Sequence, residues 1–187
     1  MMVDSGIQPW LFEVEPYPGE SLSHFLGRFR HQNRLTANGL GKMAGIGAVI
    51  GRWERFHLNP YPTKAQFEAL GKVVGVASEQ LWAMLPAKGE GMKCDPIRLC
   101  GACYGESPCH RIEWQYKSVW QCPRHHLKLL SKCPNCGAKF KVPALWNDGF
   151  CSRCHLSFSS LANWQKPAST SKRDSQSDIQ SPVKRIT

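Results

Sequence analysis

The sequence has no long apolar run and no acidic cluster, and each absence excludes a class of protein. No apolar stretch reaches the roughly 20 residues that span a bilayer. Residues 1–20 lack a basic start followed by an apolar run, so they do not resemble a secretory signal. No group of carboxylates could hold two catalytic metal ions, and no GxxxxGKS/T nucleotide-binding motif occurs. We therefore expect a cytoplasmic protein without a membrane anchor, whose thiols are reduced.

The second half of the chain contains cysteines in closely spaced pairs. The first set is CxxC followed after 18 residues by CxxH, and the second is CxxC followed after 14 residues by CxxC. Two such tight turns facing each other make a closed tetrahedral set of ligands that suits structural Zn²⁺. Gly137 follows one of these turns and suits the left-handed backbone expected there. The predicted ligands of two zinc ions are Cys100, Cys103, Cys122, His125, Cys133, Cys136, Cys151 and Cys154.

Other interpretations of the cysteines have less support. A disulfide framework needs an oxidising compartment. A catalytic zinc keeps one coordination position open, whereas both sets here are full. Cys109 with His110, or His126, could replace a ligand of the first set, although Cys109 breaks the two-residue spacing. Otherwise Cys94 and Cys109 are expected to be small, partly buried apolar residues.

Positive charge is concentrated in the part of the chain that holds the cysteines. The formal net charge is +10, and residues 1–90 carry nine Lys/Arg against eight Asp/Glu. Residues 91–165 carry ten Lys/Arg against four Asp/Glu. Seven zinc-bound thiolates and two Zn²⁺ would reduce this excess to about +3. Such a mildly basic region is compatible with nucleic-acid contact but lacks the field of an autonomous DNA clamp.

Apolar spacing predicts a helical bundle before the cysteines. From Ser21, a predicted cap, apolar residues recur at i, i+3, i+4 and i+7. Further helices are predicted from Thr36 to about residue 44, over 48–57, from Thr63 to Gly75, and from a Ser78 cap to residue 86. The last two match a helix-turn-helix pattern, although the second offers no Arg or Lys for DNA. Residues 112–120 partly alternate and predict a strand.

Two groups of residues are candidates for contact with partners. Trp10 and Phe12 lie between prolines before the first helix. They either pack on their own bundle or anchor a protein partner, since Trp is enriched at binding hot spots. Cations interleaved with Trp114, Tyr116 and Trp120 predict weak, sequence-independent nucleic-acid binding, unless the tryptophans are core residues. These cations are Arg111, Lys117, Arg124, Lys128, Lys132, Lys139 and Lys141.

The sequence resembles the TniQ family of transposition proteins most clearly in three segments, residues 16–28, 98–104 and 122–137. The resemblance extends from about residue 10 to residue 165. Without a further domain after the second cysteine set, the chain is similar to the short form of type V-K CRISPR-associated transposons. The resemblance implies a non-enzymatic targeting adaptor. Such a protein bridges an AAA+ ATPase regulator, which polymerises on DNA, and an RNA-guided Cas effector with its guide RNA and target DNA. The eight zinc ligands carry over from the family.

The expected architecture is a mostly α helix-turn-helix bundle followed by two small zinc-ribbon-like α+β modules. Its predicted parts are an extended arm (1–19), the helical bundle (20–86), two zinc modules (87–130 and 131–165) and a disordered tail (166–187). The alternative to the adaptor is a stand-alone, sequence-specific DNA-binding protein that selects target sites. That alternative requires strong, salt-dependent duplex binding by the isolated protein.

Overall fold

The computed structural model describes residues 12–168, and this part of the chain is rich in helix. The α-helices are α1 (Leu22–Gln32), α2 (Ala37–Met43), α3 (Val49–Trp53), α4 (Lys64–Val74), α5 (Ser78–Ala83) and α6 (Gly101–Glu106). The 3₁₀ helices are η1 (Ile112–Gln115), η2 (Pro143–Leu145) and η3 (Ser159–Trp164). Backbone pairing outside helices is limited, over residues 12–168, to isolated bridges. No helix in this range is long and apolar enough to cross a membrane.

Three of the predicted helix starts are confirmed by their caps. The hydroxyls of Ser21 and Thr36 accept hydrogen bonds from backbone N–H groups three residues later. Thr63 does the same and forms a capping box with Gln66. Each side chain satisfies an N–H that the first turn leaves without a helical partner. The end of α4 is also confirmed, because Gly75 adopts a left-handed φ of 72° there.

The first and fourth helices bury the predicted apolar faces. In α1 the buried face includes Phe25, Leu26 and Phe29, each fully inaccessible. Helix α4 packs against α5, with Phe67 and Leu81 fully buried. The helix-turn-helix interpretation of α4 and α5 stays a prediction.

Two local predictions are wrong at a helix start and a helix end. Helix α5 has Ala77 at its N-cap, and Ser78, the predicted cap, is already helical and bonds to Glu79. Helix α3 covers Val49–Trp53 rather than 48–57. Its early end follows from Phe56, which adopts a positive φ of 61°. The Phe56 side chain packs with residues of the second half, while Leu58 packs again on the bundle core.

The predicted strand over 112–120 is also wrong, because residues Ile112–Gln115 form η1. A strand would send adjacent side chains to opposite faces. Here Trp114 and Gln115 are both fully buried. The Gln115 side chain accepts a hydrogen bond from the Arg98 N–H at 2.8 Å and donates to the Lys93 carbonyl. The 3₁₀ turn of η1 buries both neighbours without a covering layer on each side of a strand.

Two hydrophobic cores meet along α1. The bundle core contains residues from Val14 to Leu85, and the second core contains Phe56 and residues from Ile97 to Leu161. At the seam, the Ser23 hydroxyl donates to the Glu54 carbonyl at 2.6 Å and accepts from the Ala144 N–H at 3.2 Å. Helix α1 thus contacts η2, which lies between the two cysteine pairs of the second set.

Candidate metal centres

The first four-residue set comes together at the start of α6. Cys100 is the N-cap of this helix and Cys103 lies in its first turn. The second pair, Cys122 and His125, lies on a tight turn. The Sγ atoms of Cys103 and Cys122 are 3.4 Å apart. His125 Nδ1 lies 3.2 Å, 3.5 Å and 3.8 Å from the sulfurs of Cys103, Cys122 and Cys100.

The second set consists of four cysteines from two tight turns. Cys133 Sγ lies 3.6 Å from Cys154 Sγ, and Cys136 Sγ lies 3.6 Å from Cys151 Sγ. Cys133 and Cys151, the first residues of the two turns, are buried. In each set the four ligand atoms all lie within 4.8 Å of one another. The structure therefore brings together the same two groups that the spacing predicted.

All four turns close with the same backbone hydrogen bond, which in the first runs from the Tyr104 N–H to the Cys100 carbonyl, and the other three also share a left-handed residue. The N–H four residues after the first cysteine returns to that cysteine's carbonyl, from His126 to Cys122, from Gly137 to Cys133 and from His155 to Cys151. The three donors have positive φ values of 53°, 72° and 55°. The left-handed conformation predicted for Gly137 is confirmed. His126 and His155 occupy the equivalent positions, which no glycine marks in the sequence.

The alternative ligands of the first set lie elsewhere. His126 is exposed and occupies the left-handed position of its turn. Cys109 is buried, with its sulfur 3.6 Å from the Ser107 hydroxyl. His110 is fully buried, and its Nδ1 lies 2.9 Å from the Ser21 hydroxyl. Cys94, by contrast, is exposed.

The donor atoms fit tetrahedral Zn²⁺. With Zn–S near 2.3 Å and Zn–N near 2.0 Å, a tetrahedral site separates two sulfurs by about 3.8 Å and a sulfur from a nitrogen by about 3.5 Å. The Sγ–Sγ distances above, 3.4–3.6 Å, and the Sγ–Nδ1 distances, 3.2–3.8 Å, lie close to these values. Three cysteines with one histidine, and four cysteines, are also donor sets that zinc prefers.

One thiol in each set is poised to ionise. A hydrogen bond from Cys103 lowers the pKa of Cys100 to about 5. A hydrogen bond from the Asn135 side chain lowers the pKa of Cys154 to about 6. Metals bind the thiolate rather than the thiol, so these two cysteines are the most readily available ligands of their sets. The same hydrogen bond raises the pKa of Cys103, and burial raises the pKa of Cys133, so a bound metal must displace the protons of these thiols.

A carboxylate that the residue spacing did not predict lies beside the first set. Glu106 is the last residue of α6. Its Oε1 lies 2.8 Å from His125 Nε2, and its Oε2 lies 2.8 Å from Arg124 Nη2. The hydrogen bond from His125 lowers the pKa of the exposed Glu106 carboxyl.

Of the seven cations predicted to bind nucleic acid, three already have side-chain partners within the protein. Arg124 pairs with Glu106, Lys139 lies 3.3 Å from Asp95, and Arg111 donates to the Pro18 carbonyl. The other four are exposed and, within residues 12–168, show no side-chain hydrogen bond or ion pair. They are Lys117, Lys128, Lys132 and Lys141.

Two of these free lysines face other lysines across short backbone pairings. Lys132 bridges to Lys139 across the turn of the second set. The Lys128 N–H donates to the Lys166 carbonyl at 3.0 Å, beside a bridge between Leu127 and Pro167. Residues 166–168, assigned to the tail from the sequence, therefore pair with the turn of the first set. Like charges in such positions repel each other. Lys128 and Lys166 therefore concentrate positive charge on the first turn, whereas Asp95 offsets part of the charge of Lys139 on the second.

The aromatic residues among these cations divide into core and surface. Trp114 is fully buried, and its ring contacts the His110 ring at a centroid distance of 5.4 Å. The Tyr116 hydroxyl accepts a hydrogen bond from the Ala87 N–H. Trp120 is 53% exposed. Trp120 alone among the three is thus available to stack on a base.

The candidate protein anchor is described only in part. Trp10 lies outside the described residues. The Phe12 side chain is 47% exposed, while its carbonyl accepts a hydrogen bond from Asn33 at 3.0 Å. Two residues later, Val14 is buried in the bundle core. The backbone of Phe12 is thus fixed along α1, and its ring faces solvent.

Comparison with known proteins gives one family match. A family model described as TniQ matches residues 11–129. A comparison with curated proteins finds no match. The matched range contains the whole helical bundle and the complete first ligand set.

Proposed function

The chain belongs to the TniQ family of transposition-associated proteins, and we propose that it is a non-enzymatic targeting adaptor. In this role it bridges an AAA+ ATPase regulator filament on DNA and an RNA-guided Cas effector at the target site. The observation that supports this proposal is the TniQ match over residues 11–129. The two four-ligand sets support a non-catalytic role, because a full tetrahedral set leaves no position for substrate or water.

We propose that each set holds one structural Zn²⁺. The ion, when bound, would cross-link two turns that are separated by 18 residues in the first set and 14 in the second. Mass spectrometry of the native protein should give two zinc ions per chain. Substitution of one set at a time, with Cys122→Ser for the first and Cys151→Ser for the second, should remove one ion each. A native chain with a single zinc, or with a metal-bound exchangeable water, would contradict this assignment.

The exposed ring of Phe12 supports a protein-binding role for the arm. An apolar ring held on a fixed backbone loses little conformational entropy when it docks. The test is a pull-down of the AAA+ ATPase regulator assembled on DNA, with Phe12→Ala compared with the native chain. We expect retention to fall by tenfold or more, which is about 1.4 kcal/mol or more of binding free energy.

The melting temperature separates anchoring from packing. Phe12 is about half exposed, so its loss should leave the melting temperature nearly unchanged. Met43→Ala is a matched control, because Met43 is also about half exposed and lies in α2. Unchanged ATPase binding in Phe12→Ala would remove Phe12 from the interface.

The adaptor and the stand-alone DNA reader predict different behaviour of the isolated protein. Helix α5 presents exposed Glu79 and Gln80 and contains no Arg or Lys. This surface offers no phosphate contacts of the kind that hold a recognition helix in the major groove. Electrophoretic mobility shifts with random and selected duplexes decide between the two. Tight binding to one duplex sequence, without the ATPase or the effector, would favour the DNA reader.

A further inference from the structure

The Glu106 carboxylate joins α6 to the second turn of the first set. Glu106 lies three residues after Cys103, so both side chains lie on the same side of α6. Its two oxygens reach two consecutive residues of the opposite turn, Arg124 and His125, at 2.8 Å each. A single side chain therefore spans the two halves of this candidate site from outside the ligand set.

The orientation of His125 gives this contact chemical meaning. Nδ1 faces the three sulfurs, so the opposite ring nitrogen, Nε2, faces Glu106. A histidine that binds metal through Nδ1 must carry its proton on Nε2. The Glu106 carboxylate accepts that proton in a hydrogen bond and stabilises this tautomer. Histidine ligands commonly have such a carboxylate partner, which fixes the ring and increases its basicity.

The neighbouring histidine shows why a selecting contact matters. His125 and His126 are adjacent, and the sequence alone leaves both as candidates for the fourth ligand. His126 uses its backbone to close the turn, with a positive φ of 53° and an N–H bonded to the Cys122 carbonyl. Of these two adjacent histidines, both within the described residues, only His125 has a carboxylate within hydrogen-bond distance, at its Nε2.

We propose that Glu106 is a positioning residue that selects His125 Nδ1 as the fourth ligand of the first set. This inference rests on the proposed occupation of that set by zinc. Arg124 holds the second oxygen of Glu106 and so keeps the carboxylate turned toward the histidine. The second set contains no histidine and serves as an internal reference within the same chain.

The test measures the zinc affinity of each set by competition with a chromophoric chelator. Loss of an outer hydrogen-bond partner typically weakens metal binding by about 10- to 100-fold. Glu106→Ala should show such a loss at the first set and no change at the second. Glu106→Gln, whose amide oxygen can still accept the Nε2 proton, should recover part of the affinity. Glu79→Ala, a remote exposed carboxylate, should leave both affinities unchanged.

A double substitution shows whether Glu106 acts through the histidine. In His125→Cys the first set becomes a four-cysteine site with no ring to orient. Glu106→Ala should then have no further effect on zinc affinity. In Co²⁺-loaded protein, Glu106→Ala should shift the visible absorption bands of the native chain but not those of His125→Cys.

These experiments distinguish the positioning role of Glu106 from the binding of zinc at the first set. An equal loss of affinity from Glu106→Ala in both backgrounds would make Glu106 a merely structural contact and overturn the proposal. So would an unchanged affinity in Glu106→Ala. A native chain that takes up no metal at the first set would overturn the zinc assignment and this role together, and the metal count identifies that case directly.

Discussion

At the start of α1, an ionic group is buried between the two halves of the chain. Glu20 is fully buried, and its Oε2 lies 2.7 Å from Arg28 Nη2. His24 Nδ1 contacts the other carboxylate oxygen, and the Tyr17 N–H donates to Oε2. The group also packs near Trp146, whose ring contacts His24 at a centroid distance of 6.2 Å. Such a charge is tolerated only because each oxygen has partners.

Glu20 should make the stability of the protein depend on acid. Burial alone would raise the pKa of this carboxyl, but hydrogen bonds from His24 and Arg28 outweigh it and lower the pKa below the usual 4.5. A lowered folded-state pKa gives stability that is present above pH 4.5 and is lost as pH falls through the folded-state pKa. Glu20→Gln should therefore unfold with a smaller pH dependence below pH 4.5.

The same substitution should also destabilise the protein at neutral pH. Glutamine leaves Arg28 and its partners without a counter-charge, at a cost of about 3 kcal/mol. Urea unfolding at several pH values measures both effects. Glu13→Gln is the control, because Glu13 is an exposed carboxylate on the same arm. If the free energy of unfolding of Glu20→Gln falls below pH 4.5 as steeply as that of the native chain, other carboxyls cause the loss of stability in acid.

At the scale of elements, the seam between α1 and η2 depends on a glycine. A Cβ atom at Gly27 would lie 2.4 Å from both the Cα and the carbonyl oxygen of Ala144. Backbone atoms cannot move aside as a flexible side chain can. Gly27→Ala should therefore destabilise the protein by about 1–3 kcal/mol despite the better helix propensity of alanine.

A glycine in α3 provides the matched control for the seam. A Cβ atom at Gly51 would meet only the Ala37 side chain, at 3.8 Å. Gly51→Ala should thus be neutral or stabilising by up to about 1 kcal/mol. Thermal unfolding of both variants measures the difference. Equal melting temperatures would mean that η2 does not press on α1 in solution.

Three helix starts, the end of α4 and both ligand sets were predictable from the sequence because their determinants are local. Hydroxyl caps at Ser21, Thr36 and Thr63 act over three residues, and a CxxC turn fixes its own backbone. The wrong cap at Ser78 is a local shift of one residue, whereas the wrong strand depends on distant contacts. Residues 112–115 form a 3₁₀ turn because Gln115 bonds to Arg98 and Lys93, far away in the sequence. Glu106 was missed for the same reason, since no spacing rule relates it to His125.

At the scale of the whole molecule, the second ligand set and the helical bundle share an interface. The 14 residues between Cys136 and Cys151 contain η2 and Trp146. Trp146 is buried, and its ring contacts Tyr104, Phe140 and Phe158 in the second core. A metal that fixes both ends of this segment therefore also positions its contacts with α1.

Loss of the metal from the second set should consequently destabilise α1 as well as the second zinc module. We expect Cys136→Ser to lower the hydrogen-exchange protection of α1 as well as that of residues 133–154, because the seam through Ser23 and Ala144 is released. Cys94→Ser is the control, because Cys94 is exposed and belongs to neither set. Full protection of α1 in Cys136→Ser would show that the bundle is independent of the zinc modules, as the sequence boundaries suggest.

The free lysines of the two turns give the molecule its expected nucleic-acid surface. Lys128 and Lys132 are four residues apart, so their Cα atoms are within about 14 Å of each other. Each is paired through the backbone with a second lysine, of which Lys139 also has Asp95 as a partner. A polyanion would relieve the repulsion that remains within these pairs. We expect Lys128→Gln combined with Lys132→Gln to weaken binding to single-stranded and duplex probes of unrelated sequence.

The salt dependence of binding distinguishes direct phosphate contact from an indirect effect. Each lost contact should reduce the slope of log K against log salt concentration by about 0.7 to 0.9, so the double substitution should reduce it by about 1.4 to 1.8. Lys72→Gln is the control, since Lys72 is an exposed lysine on α4 in the bundle. A reduced affinity with an unchanged slope would place the nucleic acid elsewhere. The lysines would then act through the fold of the turns rather than through their charge.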